Sequence, residues 1–250
     1  MFNTFLYQPL YNGFVYLVSV MPFYDVGLAI IILTILVKLV LFPLSHKQSK
    51  SQAKMKQIEP HIQAIKEKHK NDKLQQNQKI MELYKEHNIN PLAGCLPVLV
   101  QLPIIIALYF VFMNGLKDGV VDATKLYSFM HPIPLNMMFL GFVDLMSKNW
   151  VLALLAGATQ FYQMKLAMPV AKKPEPSKDG ELNFKDEFAK NMSMQMQYML
   201  PVMITYFAWI LSAAIALYFV VGNIFGIFQE LIIKKQMKAQ HDIDIRTPKH

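Results

Sequence analysis

Lys38 is the only charged side chain between Val26 and Leu44. A charge near the middle of a membrane-length apolar run costs roughly 2.5–3.5 kcal/mol on insertion scales. A chain that keeps one there hides it against protein, wets it or uses it. Thr34 lies one helical turn earlier, on the same face. Further polar residues interrupt the later apolar runs: Gln101 between Pro97 and Pro103, then Thr159, Gln160 and Gln163, then Tyr218 and Asn223. Singly, such groups read as hydrogen-bonding glue between helices. Together with Lys38, and with no Asp or Glu read within the spans to pair with it, they predict a water-filled groove in which an ammonium receives a transient anionic group. The prolines flanking Gln101 loosen that helix and help the bundle open.

Other chemistries are not supported. The seven histidines lie outside the apolar runs and show no metal spacing with carboxylates or with Cys95, the one cysteine. No phosphate-cradling loop, nucleophile elbow or intramembrane carboxylate pair occurs. Thr34 and Lys38 could be drawn as an acyl-transfer dyad, but nothing suggests an oxyanion hole. The expectation is no catalytic residue, no metal, no cofactor and no enzyme. An ATP-driven pump is excluded for the chain alone.

The elements that position these residues follow from hydropathy. The chain is 54% hydrophobic with a mean hydropathy of +0.26. Its apolar residues are concentrated in blocks at Val26–Val37 continuing past Lys38, Asn88–Leu116, Asn149–Met164 and Asn191–Gln229. As one helix, the last block would run about 60 Å, twice a hydrocarbon core of about 30 Å. It therefore splits into two helices near Leu211–Ser212. No block alternates at period two, which argues against a barrel. The prediction is an all-α membrane protein with five transmembrane helices at 26–45, 91–116, 148–168, 194–211 and 212–235. Lys148 and Lys165 snorkel at the ends of the short third span, with Trp150 at one interface. Residues 1–25 lack a basic start, so they read not as a signal peptide but as an amphipathic helix on the outer membrane surface.

The formal charge is +8, and its distribution sets the topology. Ten lysines fall in 46–90, six in 165–190, and five basic residues follow from Lys234 onward. The segments between them hold only Lys117, Lys125 and Lys148. By the positive-inside rule, the N-terminus and 117–147 are outside, while 46–90, 169–193 and the tail 236–250 are cytoplasmic.

Segment 46–90 reads as a cytoplasmic helical hairpin. Met55, Ile58, Ile62 and Ile65 form one stripe, Asn71 and Asp72 cap a second helix, and Leu74, Ile80, Met81 and Tyr84 continue the apolar positions. Pro60 is expected to bend the first helix. Its lysines, Lys54, Lys56, Lys66, Lys68 and Lys73 among them, either only set topology or dock anionic lipid, ribosomal RNA or another translocation protein.

Two long stretches carry a family resemblance. They are TILVKLVLFPLSHKQSKSQAKMKQIEPHIQAIKEKH from Thr34 and LYKEHNINPLAGCLPVLVQLPIIIALYFVF from Leu83. With QPL at 8–10, the FLG–DL pattern at 139–145, MLPVMITYFAWILSAAIALYFVVGN at 199–223 and QELIIKK at 229–235, the chain closely resembles the YidC/Oxa/Alb family of membrane-protein insertases, in a five-span form without a large external domain. The resemblance implies five helices around a hydrophilic groove that is open to the cytoplasm and to lipid and closed to the outside. It places Lys38 where most members carry arginine, and Thr34 at the polar position one turn before. It matches Tyr218 and Phe219 to a tandem aromatic pair that contacts the passing substrate helix. It implies a bacterial inner-membrane location and, as partners, nascent membrane proteins, the ribosome, the Sec translocon, the signal recognition particle system and anionic lipids. Lysine can lose its proton when dehydrated, whereas arginine does not. A working charge at Lys38 therefore requires a wet groove. The expected activity is insertion of hydrophobic segments into the bilayer without nucleotide. The alternatives are an assembly scaffold for membrane complexes and an anion channel or transporter, the latter disfavoured because no inverted repeat is visible.

Overall fold

The structure is a computed structural model that describes residues 2–70, 72–89, 96–115, 120–167 and 195–246. Among these the fold is all-α apart from one two-residue β-hairpin. The NPLAG and Cys95 part of the family signature and the loop 169–193 lie outside the described residues.

Helix α1 (Gln8–Val20) follows a π-helical turn at Asn3–Tyr7 and has Pro9 in its first turn, where the missing N–H is harmless. Tyr11, Phe14, Val15 and Val18 recur at helical period and are fully buried, while Tyr16 and Val20 face outward. This apolar face packs on α2 (Val26–Val40) and α5 (Leu96–Phe110), with the Phe14 and Phe112 rings edge to face at 5.6 Å. Helix α6 (Trp150–Ala167) packs on both α7 (Leu200–Ile210) and α8 (Ala213–Arg246), and α8 packs in turn on α2. The helix breaks between α7 and α8 at Leu211–Ser212, within the apolar block that is too long for one crossing. The stretch Ala213–Gln236 is by itself long and apolar enough to cross a membrane.

Helix α2 turns by 67° into α3 (Phe42–Lys68). The bend falls at Leu41, where Pro43 occupies the first turn of α3 and starts a new helix instead of extending the old one. Helix α3 continues through Pro60 as one helix. Helix α4 (Lys73–Glu86) begins on Asp72, whose Oδ1 accepts from the Gln75 N–H at 2.9 Å. Ile58 and Ile62 of α3 meet Ile80 and Ile89 in a small core flanked by Met55, Ile65, Leu83 and Tyr84. The inner face of α4 reads Gln76, Ile80, Leu83 and Tyr84, the i, i+4, i+7, i+8 positions of one helix face. Leu74 and Met81, expected inside, are 74% and 47% exposed because they fall on the other face. Gln76 fills the remaining inner position and donates to the Lys66 carbonyl at 2.9 Å.

The α5–α6 connection is tied to the ends of the helices. Asp25 is the hub: its Oδ1 accepts from Gly27 N and Leu28 N at 2.8 and 3.0 Å, and its Oδ2 from Leu140 N at 3.1 Å. The same junction pairs Val26 N with the Asn136 carbonyl. Beyond it, β1 (Met138–Phe139) and β2 (Val143–Asp144) are joined by the three residues Leu140, Gly141 and Phe142, the first two at positive φ. The Phe139 ring lies so close to Gly27 that a β-carbon there would collide with it. At the other end, Ala213 N and Ala214 N donate to the carbonyls of Ser147 and Leu145 at 2.9 and 3.1 Å, satisfying donors that a helix start leaves orphaned. Asn12 of α1 completes the tie through Tyr127 N and the Lys125 carbonyl.

Asp25→Ala removes the acceptor of three backbone donors and is expected to destabilise the fold by about 2 kcal/mol. That corresponds to a fall in melting temperature of about 4–8 °C for a chain of this size, read on detergent-solubilised protein. An unchanged melting temperature contradicts the role of Asp25 as the hub.

Candidate functional site

Three helices converge on Lys38. Its side chain leaves α2 half-buried, and Nζ donates to Gln101 Oε1 of α5 at 3.4 Å. Gln101 uses its other end to donate through Nε2 to the Tyr218 hydroxyl of α8. Lysine, glutamine and tyrosine thus form one chain of hydrogen bonds in a setting where each unmade bond would cost about 1–3 kcal/mol. The ammonium has further donors that this chain does not use. They face a cavity of about 120 Å³, large enough for several waters. Gln101, Gln163, Ser45, Gln48 and Gln229 line it with Lys38.

Two glycines of α8 shape this space. A β-carbon at Gly222 would stand 3.2 Å from Lys38 Cε, so the lysine stem lies along bare backbone. One turn later, a β-carbon at Gly226 would collide with the Gln163 side chain of α6. A further turn brings Glu230, 6% exposed, whose carboxylate also lines the cavity and accepts from the Ser49 hydroxyl of α3. This corrects the expectation that no carboxylate shares the span region with Lys38. The carboxylate lies just past the uncharged block, on the helix that passes Lys38. It is not in salt-bridge contact with Lys38; Lys56 of α3 and Lys234 of α8 are the cations near it. Between α3 and α8, Ser45 Oγ and the Gln229 amide are joined at 3.0–3.2 Å.

The remaining expected groove residues fall in three places. Thr34 is buried one turn from Lys38, but its hydroxyl donates back to the Ile30 carbonyl at 2.6 Å, and its methyl group lies toward Gly222. Thr159 and Asn223 form a separate node away from the cavity. The Asn223 amide donates to the Ala156 carbonyl at 3.1 Å and to Thr159 Oγ1 at 3.2 Å, joining α6 to α8. Gln160 is buried on α6 and does not line the cavity. Tyr218 and Phe219 are 4% and 9% exposed, with rings edge to face in the main core, so neither is presented on the surface of this conformation.

The hairpin lysines also divide. Lys56 faces α8 rather than open solvent. Burial pushes its ammonium below the usual lysine range, the Lys234 charge adds to that, and Glu230 works against it. Lys68 is exposed, Lys54 and Lys66 are partly exposed, and the side chain of Lys73 lies outside the described residues. No cluster of three or more possible metal ligands occurs among the described residues. Sequence reasoning missed Gly222, Gly226 and Glu230. Their signal is spacing: Tyr218, Gly222, Gly226, Glu230 and Lys234 recur every four residues, one per turn of α8.

Comparison with known proteins places this architecture. The model of a protein family described as 60Kd inner membrane protein matches residues 17–240. A membrane protein insertase YidC of Clostridium tetani is 38% identical over 214 residues, covering 86% of this chain and 84% of the relative. One of Oceanobacillus iheyensis is 38% identical over 218 residues, covering 86% and 76%. One of Fusobacterium nucleatum is 35% identical over 213 residues, covering 84% and 86%. With the family match spanning most of the sequence and these identities holding across most of both chains, the chain belongs to the 60Kd inner membrane protein family.

Proposed function

We propose that the chain is a membrane protein insertase that moves nascent hydrophobic segments from the cytoplasm into the bilayer through the cavity around Lys38, without nucleotide. In this reading the five crossings are 26–45, 91–116, 148–168, 194–211 and 212–235. The N-terminus and the α5–α6 connection are outside, and the α3–α4 hairpin and the C-terminus are cytoplasmic. The charge distribution supports this orientation. So do the large apolar side chains exposed on outer helix faces, such as Val40, Leu99, Leu154 and Val202, which suit contact with lipid.

The observation that carries the proposal is the lone ammonium. Lys38 rests on a neutral amide, beside a cavity lined by both polar and apolar side chains, with no carboxylate in salt-bridge contact among the described residues. A cation kept there without a permanent counter-ion is suited to a transient one. A short acidic or polar tail of an incoming protein enters the hydrated cavity and avoids most of its desolvation cost. The following apolar segment passes beside α6 and α8 into lipid, driven by about 25 cal/mol per Å² of surface removed from water. For Tyr218 and Phe219 to touch that segment, their rings must first leave the core. The hairpin lysines other than Lys56 are the proposed docking surface for the ribosome, the Sec translocon, the signal recognition particle system or anionic lipids.

In vesicles reconstituted with the purified protein, Lys38→Glu is expected to reduce insertion of single-span proteins with short acidic tails at least tenfold, while Lys38→Arg is tolerated. Full activity of Lys38→Glu would sink the electrostatic attraction. Gly222→Leu puts a side chain where the Lys38 stem lies, displaces that stem and should reduce insertion several-fold. Wild-type insertion by this variant, with its melting temperature unchanged, would show that the placement of Lys38 against α8 does not matter.

A further inference from the structure

The cavity carries charge of both signs. Lys38 lies against α8 at the level of Gly222, and Glu230 projects from the same helix two turns further along, about 12 Å in axial rise. Glu230 is almost wholly buried, and Ser49 donates to its carboxylate. A carboxylate has room for about four donors. Gln48 of α3, also lining the cavity, is buried with its Nε2 donor unpartnered. A carboxylate at this depth is costly unless its charge is used or compensated. Lys56 on α3 and Lys234 on the next turn of α8 are near it, and the carboxylate still faces the cavity.

We propose that Glu230 is a specificity-determining residue: it and Lys38 together read the charge pattern of the entering tail. The inference rests on the insertase reading. A tail entering from the α3–α8 side passes Glu230 before its end reaches Lys38. An extended chain covers about 12 Å in three to four residues. The tail that fits both charges therefore carries an acidic residue near its leading end and a basic residue three or four positions behind it. A tail with an acidic residue alone meets attraction at Lys38 and repulsion at Glu230. A basic residue at the matching position turns the repulsion into attraction.

The test uses three versions of one single-span reporter in vesicles reconstituted with the full chain. One tail carries Asp alone, one carries Asp followed by Lys four residues later, and one carries the same two residues in reverse order. Wild-type protein is expected to insert the Asp-then-Lys tail about fivefold better than either of the others, the effect of one unit charge several ångströms away in a wet site. Glu230→Gln abolishes that ratio, and Glu230→Asp restores it. Ser49→Ala removes the hydrogen bond, keeps the charge and so keeps the ratio. Ratios between tails within one preparation cancel any difference in the amount of folded protein. If Glu230→Gln changes all three tails equally, or Ser49→Ala removes the ratio as fully as Glu230→Gln does, the carboxylate only ties α3 to α8 and the proposal is overturned. If wild-type vesicles insert the three tails equally but Lys38→Glu still lowers insertion, the proposal fails while the insertase reading stands. If wild-type vesicles insert none of them, both fail.

Discussion

An ammonium cannot be left in hydrocarbon, and the fold is organised around that constraint. Lys38 is held by Gln101, which is held by Tyr218, so three helices distant in sequence share one polar chain. Gly222 brings the backbone of α8 within reach of the lysine stem, and Gly226 makes room for Gln163. Enlarging either glycine would push α8 outward or force a polar side chain to move, so the hydration of the site and the packing of the bundle are one problem. The cavity is the outcome: beyond Lys38, amides, hydroxyls and a carboxylate share the lining with apolar side chains such as Leu41, Leu44 and Met164.

The two ends of the bundle are built differently. At one end the α5–α6 connection is tied to α1, α2 and α8 through Asn12, Asp25 and the carbonyls of Leu145 and Ser147. Each of these hydrogen bonds has a backbone group as one partner, and together they hold the connection against three helices. At the other end α3 meets α8 through Ser45 with Gln229, Ser49 with Glu230, and the charges of Lys56 and Lys234. Side-chain ties between polar groups exchange with water at a net cost of only about 1 kcal/mol each.

Much of this was legible in the sequence, because polar residues in apolar runs are conspicuous. Lys38, Gln101 and Tyr218 each stood out singly, and the structure joins them. Thr34 and the Thr159–Asn223 node stood out equally, yet a hydroxyl bonded to its own helix and an amide bonding a neighbouring one look the same in sequence as a groove-lining group. The glycines were invisible for the opposite reason: a residue with no side chain contributes nothing to a polarity pattern, though its absence of bulk places Lys38. Glu230 was passed over because it stands one residue past the uncharged block and reads as the end of a span. In α4, Leu74 and Met81 are apolar, yet the helical period puts them off the face that Gln76, Ile80 and Tyr84 share, so apolarity alone misplaces them.

The central claim is that the cavity beside Lys38 receives the inserting chain. Site-specific photocrosslinking to a ribosome-stalled single-span protein tests it most directly, with the probe at position 163, which lines the cavity without bonding Lys38, and a second probe at position 202, on the exposed outer face of α7. The account predicts crosslinks from position 163 to the leading tail of the stalled chain, and none to that tail from position 202. Equal crosslinking from both positions, or none from 163 while insertion proceeds, would contradict it.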